Sequence, residues 1–312
     1  MLFQHKGSRF GIALGLGALL AFGLFLVLAA TAGEAEAREW ERAASMSQRR
    51  SYIAATQVGA TIYTAGGMVG ETGRPLATFT RYRVGEDRWE TLRQLPDPTR
   101  AAAAAAVGGT IYVIGGTTPD GNTDAVWAWD GAKWAPRAPL PSPRFNHSAL
   151  AVGDDVWVFG GYRDGRELRE VLVYEPRRDV WRETAPLPRP NHAFAVVLFR
   201  GEVWLIGGRR GEEVLHEVWI LDPRSERWRS GPPMPRPMEL LGAAVAGDEI
   251  HAVWESTYQI YSARTGQWRD GPTPVVTRHA LSAFVAGGAL YTVGGCTTAL
   301  RDSPIVERIR VA

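Results

Sequence analysis

Five times along the chain an alternating apolar run ends on two adjacent glycines: IYTAGG, IYVIGG, VWVFGG, VWLIGG and LYTVGG. Each run has the period-two alternation of a half-buried strand, not the 3.6-residue period of a helix. Tryptophans set the repeat. Trp181 precedes Gly207 by 26 residues, and the same interval separates Trp40 from Gly66, Trp89 from Gly115, Trp134 from Gly160 and Trp268 from Gly294. Trp228 stands 26 residues before position 254, where the pair has become Trp254-Glu255. Six modules share one spacing, the mark of a repeat architecture.

Within a module the pattern predicts four short strands. In the second they are AAAAAVG, TIYVIGG, DAVWAWD and KWAPRA, joined by Gly-containing turns that suit tight hairpins. Propensity alone would make Ala101 to Ala106 helical; its register with SYIAATQV, HSALAVG and HALSAFVAG makes it a strand. Six residues after each Trp comes Met46, Leu95, Leu140, Leu187, Met234 or Pro274, and seven before come Tyr82, Trp127, Tyr174, Leu221 and Tyr261, positions expected in a core. From the first glycine to that bulky residue the interval is 16, 12, 14 and 14 in the first four modules, so strand faces are conserved. The fifth interval is 7, which predicts a truncated or bulged hairpin near Glu255 to Tyr261. The last module, ending in IVERIRVA, has only three strands, and REWERAAS at the other end supplies the fourth. Four-stranded sheets repeated radially and closed this way form a β-propeller, here of six blades, with no free edge left to pair.

The first residues are of another composition. Lys6 and Arg9 precede an uncharged run from Gly11 to Gly33, which at 23 residues is long enough to cross a bilayer, for which about 20 are needed. Ala30-Thr31-Ala32 and Ala35-Glu36-Ala37 also offer small-x-small cleavage patterns. Residues 1–37 are therefore expected to be a helical signal peptide or membrane anchor, and 38–312 the propeller. Either outcome places the propeller in the periplasm or outside the cell, because the positive charges precede the span, and leaves this segment as the expected membrane contact. Lys+Arg 35 against Asp+Glu 33, interspersed, argues against a nucleic-acid partner. Cys296 is the single cysteine, so no disulfide forms within the chain.

The glycine pair, the aromatic residue seven before the Trp, the Trp itself and the period resemble kelch repeats, whose period is about 50 residues. The resemblance implies a propeller; for function it implies several classes, from protein-binding modules to sugar-active enzymes and copper oxidases. Kelch-type sialic acid mutarotases are similar in export and in an arginine-rich mouth. That resemblance implies a carboxylate directly after a glycine pair, where this sequence has Met68, Thr117, Tyr162, Arg209 and Cys296. A copper-oxidase ligand set has no match, Cys296 reads as a small residue beneath its loop, and no zinc spacing or phosphate loop appears. No metal or cofactor is expected.

The loops after the glycine pairs and the linkers after the tryptophans are expected on one face, the candidate site. Eleven residues after each Trp stand Ser51, Arg100, Phe145, His192, Glu239 and His279; one earlier stand Arg50, Thr99, Arg144, Asn191, Met238 and Arg278. With Asn146, Tyr162, Arg163, Arg209 and Arg210, this is an arginine-rich rim. Guanidinium forks suit carboxylates and phosphates, so an acidic or sugar ligand, or a protein presenting one, is the expected partner. The bland alternative is that these arginines satisfy linker carbonyls and neighbouring carboxylates. Glu239, His192 and His279 are the acid/base candidates. The expectation is a binding module, with a mutarotase-type enzyme as the alternative.

Overall fold

The computed structural model describes residues 39–311, apart from 71–72 and 298–300. The expected N-terminal helix lies outside the described residues. The described chain is an all-β propeller of six four-stranded antiparallel sheets. Blade 1 comprises Ala54–Val58, Thr61–Ala65, Phe79–Arg83 and Arg88–Thr91; blade 2, Ala103–Val107, Thr110–Ile114, Val126–Trp129 and Trp134–Pro136; blade 3, Ser148–Val152, Asp155–Phe159, Val171–Glu175 and Val180–Thr184. Blade 4 comprises Ala195–Phe199, Glu202–Ile206, Val218–Asp222 and Arg227–Ser230; blade 5, Gly242–Ala246, Glu249–Trp254, Thr257–Ser262 and Gln267–Asp270. Blade 6 has Ser282–Ala286, Ala289–Val293 and Val306–Arg310, and its fourth strand is the N-terminal Glu41–Ala43, with Arg42 opposite Glu307. The alanine run is the inner strand of blade 2.

The tryptophans do more than fill space between blades. Each indole N–H donates to the backbone carbonyl four residues after the preceding Trp: Trp89 to Ala44, Trp134 to Arg93, Trp181 to Ala138, Trp228 to Ala185 and Trp268 to Pro232. Trp40 closes the ring by donating to Pro272 at 2.7 Å. Each such bond contributes about 0.5–1.5 kcal/mol net, and together they staple every blade to its neighbour. In blades 1 and 3 the tyrosine paired with the Trp, Tyr82 or Tyr174, donates to Asp87 or Asp179, each of which also accepts a neighbouring blade's backbone N–H, Ala44 or Ala138.

Blade 2 differs from the spacing rule. Trp127 lies opposite Pro136, and the core residue facing Trp134 is Trp129. The turn there is shorter, closed by the Asp130 carboxylate accepting the Ala132 and Lys133 N–H groups, so the aromatic pair moves two residues while staying on the same face. Trp127 instead donates to Asp97 near the surface.

The glycine pairs are needed where they stand. Gly160 has φ 50° and Gly161 φ 106°, and a Cβ at Gly160 would come within 2.6 Å of the Asn191 carbonyl of the next linker. That proximity carries a bond: Gly67, Gly116, Gly161, Gly208 and Gly295 donate their N–H to the carbonyls of Thr99, Arg144, Asn191, Met238 and Arg50. In blade 5 Glu255, at φ 52°, makes the equivalent bond to Arg278. Its hairpin is the truncated one: Trp254 pairs with Thr257 directly. Blades 1 to 4 carry an extra two-stranded hairpin beyond the glycines, such as Tyr162–Arg163 with Arg166–Glu167.

Candidate functional site: the propeller mouth

At the face where linkers meet post-glycine loops, the residue eleven after a Trp bridges the residue just after the glycine pair of the same blade. The pairs are Ser51 with Met68, Arg100 with Thr117, Phe145 with Tyr162, His192 with Arg209, and His279 with Cys296. The mouth is thus built in sectors. A cation on blade 2 is followed by an aromatic step on blade 3, where Tyr162 lies 5.6 Å from Phe145 and 5.0 Å from His192 between ring centres. Next comes an ion pair between blades 4 and 5, Arg209 to Glu239 at 2.9 Å, with Glu212 also 3.1 Å from Arg209.

The floor lies one residue further along. Tyr52, Ala101, Asn146, Ala193, Leu240 and Ala280, twelve residues after each Trp, all have φ between 46° and 59°. For residues other than glycine this left-handed geometry is uncommon, and its recurrence around the axis reflects a chain of backbone bonds: Ala101 N–H to Tyr52, Asn146 to Ala101, Ala193 to Asn146, Leu240 to Ala193 and Ala280 to Leu240. Large side chains on blades 1, 3 and 5 alternate with alanine on blades 2, 4 and 6, which lets Tyr52, Asn146 and Leu240 share the crowded hub. Below it the six inner strands line an axial cavity of about 480 Å3, walled largely by alanines.

Tyr52 was not singled out from sequence, although extending the register by one position reaches it. Burial pushes its phenol up to about 12; Cys296 and Glu239 push in the same direction and Arg100 opposes them. Groups of blades 2, 5 and 6 therefore act on one hydroxyl of blade 1. Arg100 places Nη1 3.3 Å from the Met68 sulfur.

His192 and Glu239 share a neighbourhood: burial lowers the imidazole's pKa, Glu167 and Glu239 oppose that, and Arg209 reinforces it. His279 belongs to a separate group. Its Nε2 is 3.1 Å from Cys296 Sγ and its Nδ1 3.9 Å from Glu255. Cys296 is 1% exposed, and burial holds its thiol at about 11, so the cysteine is a packed thiol, as a buried apolar setting dictates. Beside it Asp302, which sequence reasoning missed, accepts the Ser51 hydroxyl and the Gly70 N–H, both at 2.6 Å.

Three rim arginines are not at the rim. Arg50, Arg144 and Arg278 are 0%, 1% and 1% exposed, and each donates to the carbonyl of the first glycine sixteen residues later, Gly66, Gly160 or Gly294. Thr99 and Asn191 do the same at Gly115 and Gly207. Blade 5, which lacks the glycine, has Met238 at that position. Arg278 is further tied to Glu307 at 2.7 Å. Arg163 and Arg210 stay on the outer hairpins, near Glu170 and Asp164, and Glu213 and Glu217. Asn146 is in the hub. Arg100, Tyr162, His192, Arg209 and Glu239 remain at the mouth with Tyr52.

A closed ring of six four-stranded blades, five of them ending strand two on a glycine pair, defines a kelch-type propeller. A family model described as the KLHDC2/KLHL20/DRC7 Kelch-repeats domain matches residues 52–253, and the chain belongs to the kelch-repeat family. No curated relative matches it. Among solved structures, that of YjhT superposes with a TM-score of 0.73 at 15% identity, over 83% of this chain and 94% of that one; at this identity the likeness is one of fold.

Proposed function

We propose that this protein is an exported binding module, released beyond the membrane or tethered by its N-terminal segment, whose mouth takes an anionic group carried by a protein or glycan. The kelch propeller supports a binding role in general. The observation that carries the ligand class is the Arg100 guanidinium, half-buried at the mouth with Nη1 3.3 Å from the Met68 sulfur, and the Phe145–Tyr162 aromatic step on the next blade. A guanidinium fork selects planar anions, and aromatic faces accept apolar or sugar faces. The test is a thermal-shift and calorimetric screen of glucuronic acid, N-acetylneuraminic acid and short acidic peptides. Binding by at least one, weakened tenfold or more by Arg100→Ala and unaffected by Arg227→Ala on an outer strand, supports the reading; no binding by any of them refutes it.

A second reading, a mutarotase-type sugar enzyme, draws on His192, Glu239 and Tyr52 as proton-handling groups around one mouth. Anomer exchange followed by NMR decides it: catalysed exchange abolished by Glu239→Gln favours the enzyme, and exchange at the uncatalysed rate rejects it.

A further inference from the structure

One side chain breaks the chemistry of its ring. Thirteen residues after each Trp stand Ile53, Ala102, His147, Phe194, Leu241 and Leu281, so a histidine occupies a position that is otherwise apolar. His147 is 6% exposed. It fills the seam between blades 2 and 3: a Cβ at Gly115 would lie 3.0 Å from its Cε1, and one at Gly161 2.7 Å from its Cβ. Neither ring nitrogen has a hydrogen-bond partner of normal geometry. Buried polar groups are normally satisfied, and an exception calls for a reason. The seam is held by bonds on either side of this residue, Gly116 N–H to the Arg144 carbonyl at 2.8 Å and Asn146 N–H to the Ala101 carbonyl at 3.0 Å.

We propose that His147 makes the seam between blades 2 and 3 an acid-sensitive hinge: the neutral imidazole packs as an apolar plug, and its protonation opens this seam in preference to the other five. The charged group facing the ring is the Arg144 guanidinium, from the linker that precedes it; the blade 2 side offers the Ile114 carbonyl, which alone favours the proton. Glu170, 3.4 Å from Arg144, already serves that arginine. A proton on His147 would therefore stand beside a buried cation. Burial first, and Arg144 second, lower its pKa from 6.5 to about 3. The closed seam thus refuses a proton that the open seam accepts below about 6.5. The sign follows: the stability of the closed seam is complete above pH 6.5 and is lost as pH falls toward 3, by about tenfold in the opening equilibrium per pH unit. Since Arg100 and Phe145 lie on opposite sides of this seam, acid would part the cationic sector of the mouth from its aromatic step.

Hydrogen exchange of the full chain between pH 6.5 and 5.0, corrected for intrinsic rates, tests this. Carboxylates with ordinary values stay mostly ionised there, and Asp155, whose pKa burial raises, is present in wild type and variants alike, so its contribution cancels. The wild type is expected to show an opening equilibrium rising about 15-fold in peptides covering Ala103–Ile114 and Ser148–Phe159, by the same linkage. His147→Leu and His147→Phe, residue types found at equivalent positions, are expected to abolish the rise; His192 is retained in both, so its contribution cancels. An equal rise in the variants, or one spread evenly over all six seams in the wild type, overturns the proposal. Should either variant misfold, the wild-type His147 Cε1 proton resonance gives the answer: it should not titrate in the folded protein down to pH 5, and a folded-state midpoint near 6.5 refutes the hinge.

Discussion

At the scale of single residues, the chain solves one problem five times: what to do with a carbonyl at a sharp turn inside the protein. Five of six blades place a donor sixteen residues before the first glycine, and the donor's identity varies among Arg, Thr and Asn because only its reach and its N–H or O–H matter. Sequence reading saw arginine at three of these positions and assigned them to the mouth; nothing local distinguishes a guanidinium aimed inward from one aimed outward. Asn191 shows the cost of losing such a donor. It gives a bond to the Gly207 carbonyl at 2.9 Å and accepts one from the Arg209 N–H at 3.0 Å, so Asn191→Ala is expected to lose about 1–3 kcal/mol by denaturant titration. The pair of Arg278 and Glu307, 1% and 0% exposed, is more demanding. Glu307→Ala leaves a buried guanidinium without its charge partner, and a loss of about 3–5 kcal/mol is expected; a change under 1 kcal/mol would mean that the charge is compensated elsewhere.

At the scale of elements, the strand Glu41–Ala43 is three residues long, yet it closes the sheet that also carries the C-terminus. Trp40 packs edge-on against Tyr258 of blade 5, with ring centres 5.5 Å apart, and its indole completes the staple ring. A short strand holds because tertiary contacts, not its own propensity, fix it. Removing residues 39–45 is therefore expected to expose the edge of Val306–Arg310 and to yield a less cooperative, aggregation-prone protein, seen as a broadened thermal transition and higher oligomers by light scattering. Trp40→Phe should retain the fold and lose at least about 0.5–1.5 kcal/mol, the indole bond, with a further cost for the space left beside Tyr258. The strands, their order and the truncated fifth hairpin were legible because period two and the glycine pairs recur. The shift from Trp127 to Trp129 was not, since it depends on how tightly Asp130 closes one turn.

For the whole molecule, the mouth gathers residues far apart in sequence: Tyr52, Arg100, Tyr162, His192, Arg209 and Glu239 come from successive modules. An Arg100→Ala variant that keeps its melting temperature while losing a ligand found by screening would separate binding from folding. Export is checked independently. Mass measurement of the mature protein from a fractionated host should find it outside the cytoplasm, with an N-terminus either near residues 33–38 or intact in the membrane fraction; cytoplasmic recovery would refute the localisation.

What the sequence determined by itself is whatever repeats. A 26-residue interval from Trp to glycine pair, repeated five times and kept in a sixth module without the glycines, averages out local ambiguity, so blade number, closure and the register of every blade but the second were readable from sequence. The tertiary structure alone decided which members of an equivalent set face the ligand and which face the core. That depends on packing across seams, where a difference of one position turns a side chain from the mouth toward a carbonyl, and where a histidine at a position otherwise apolar acquires its character from the groups packed around it.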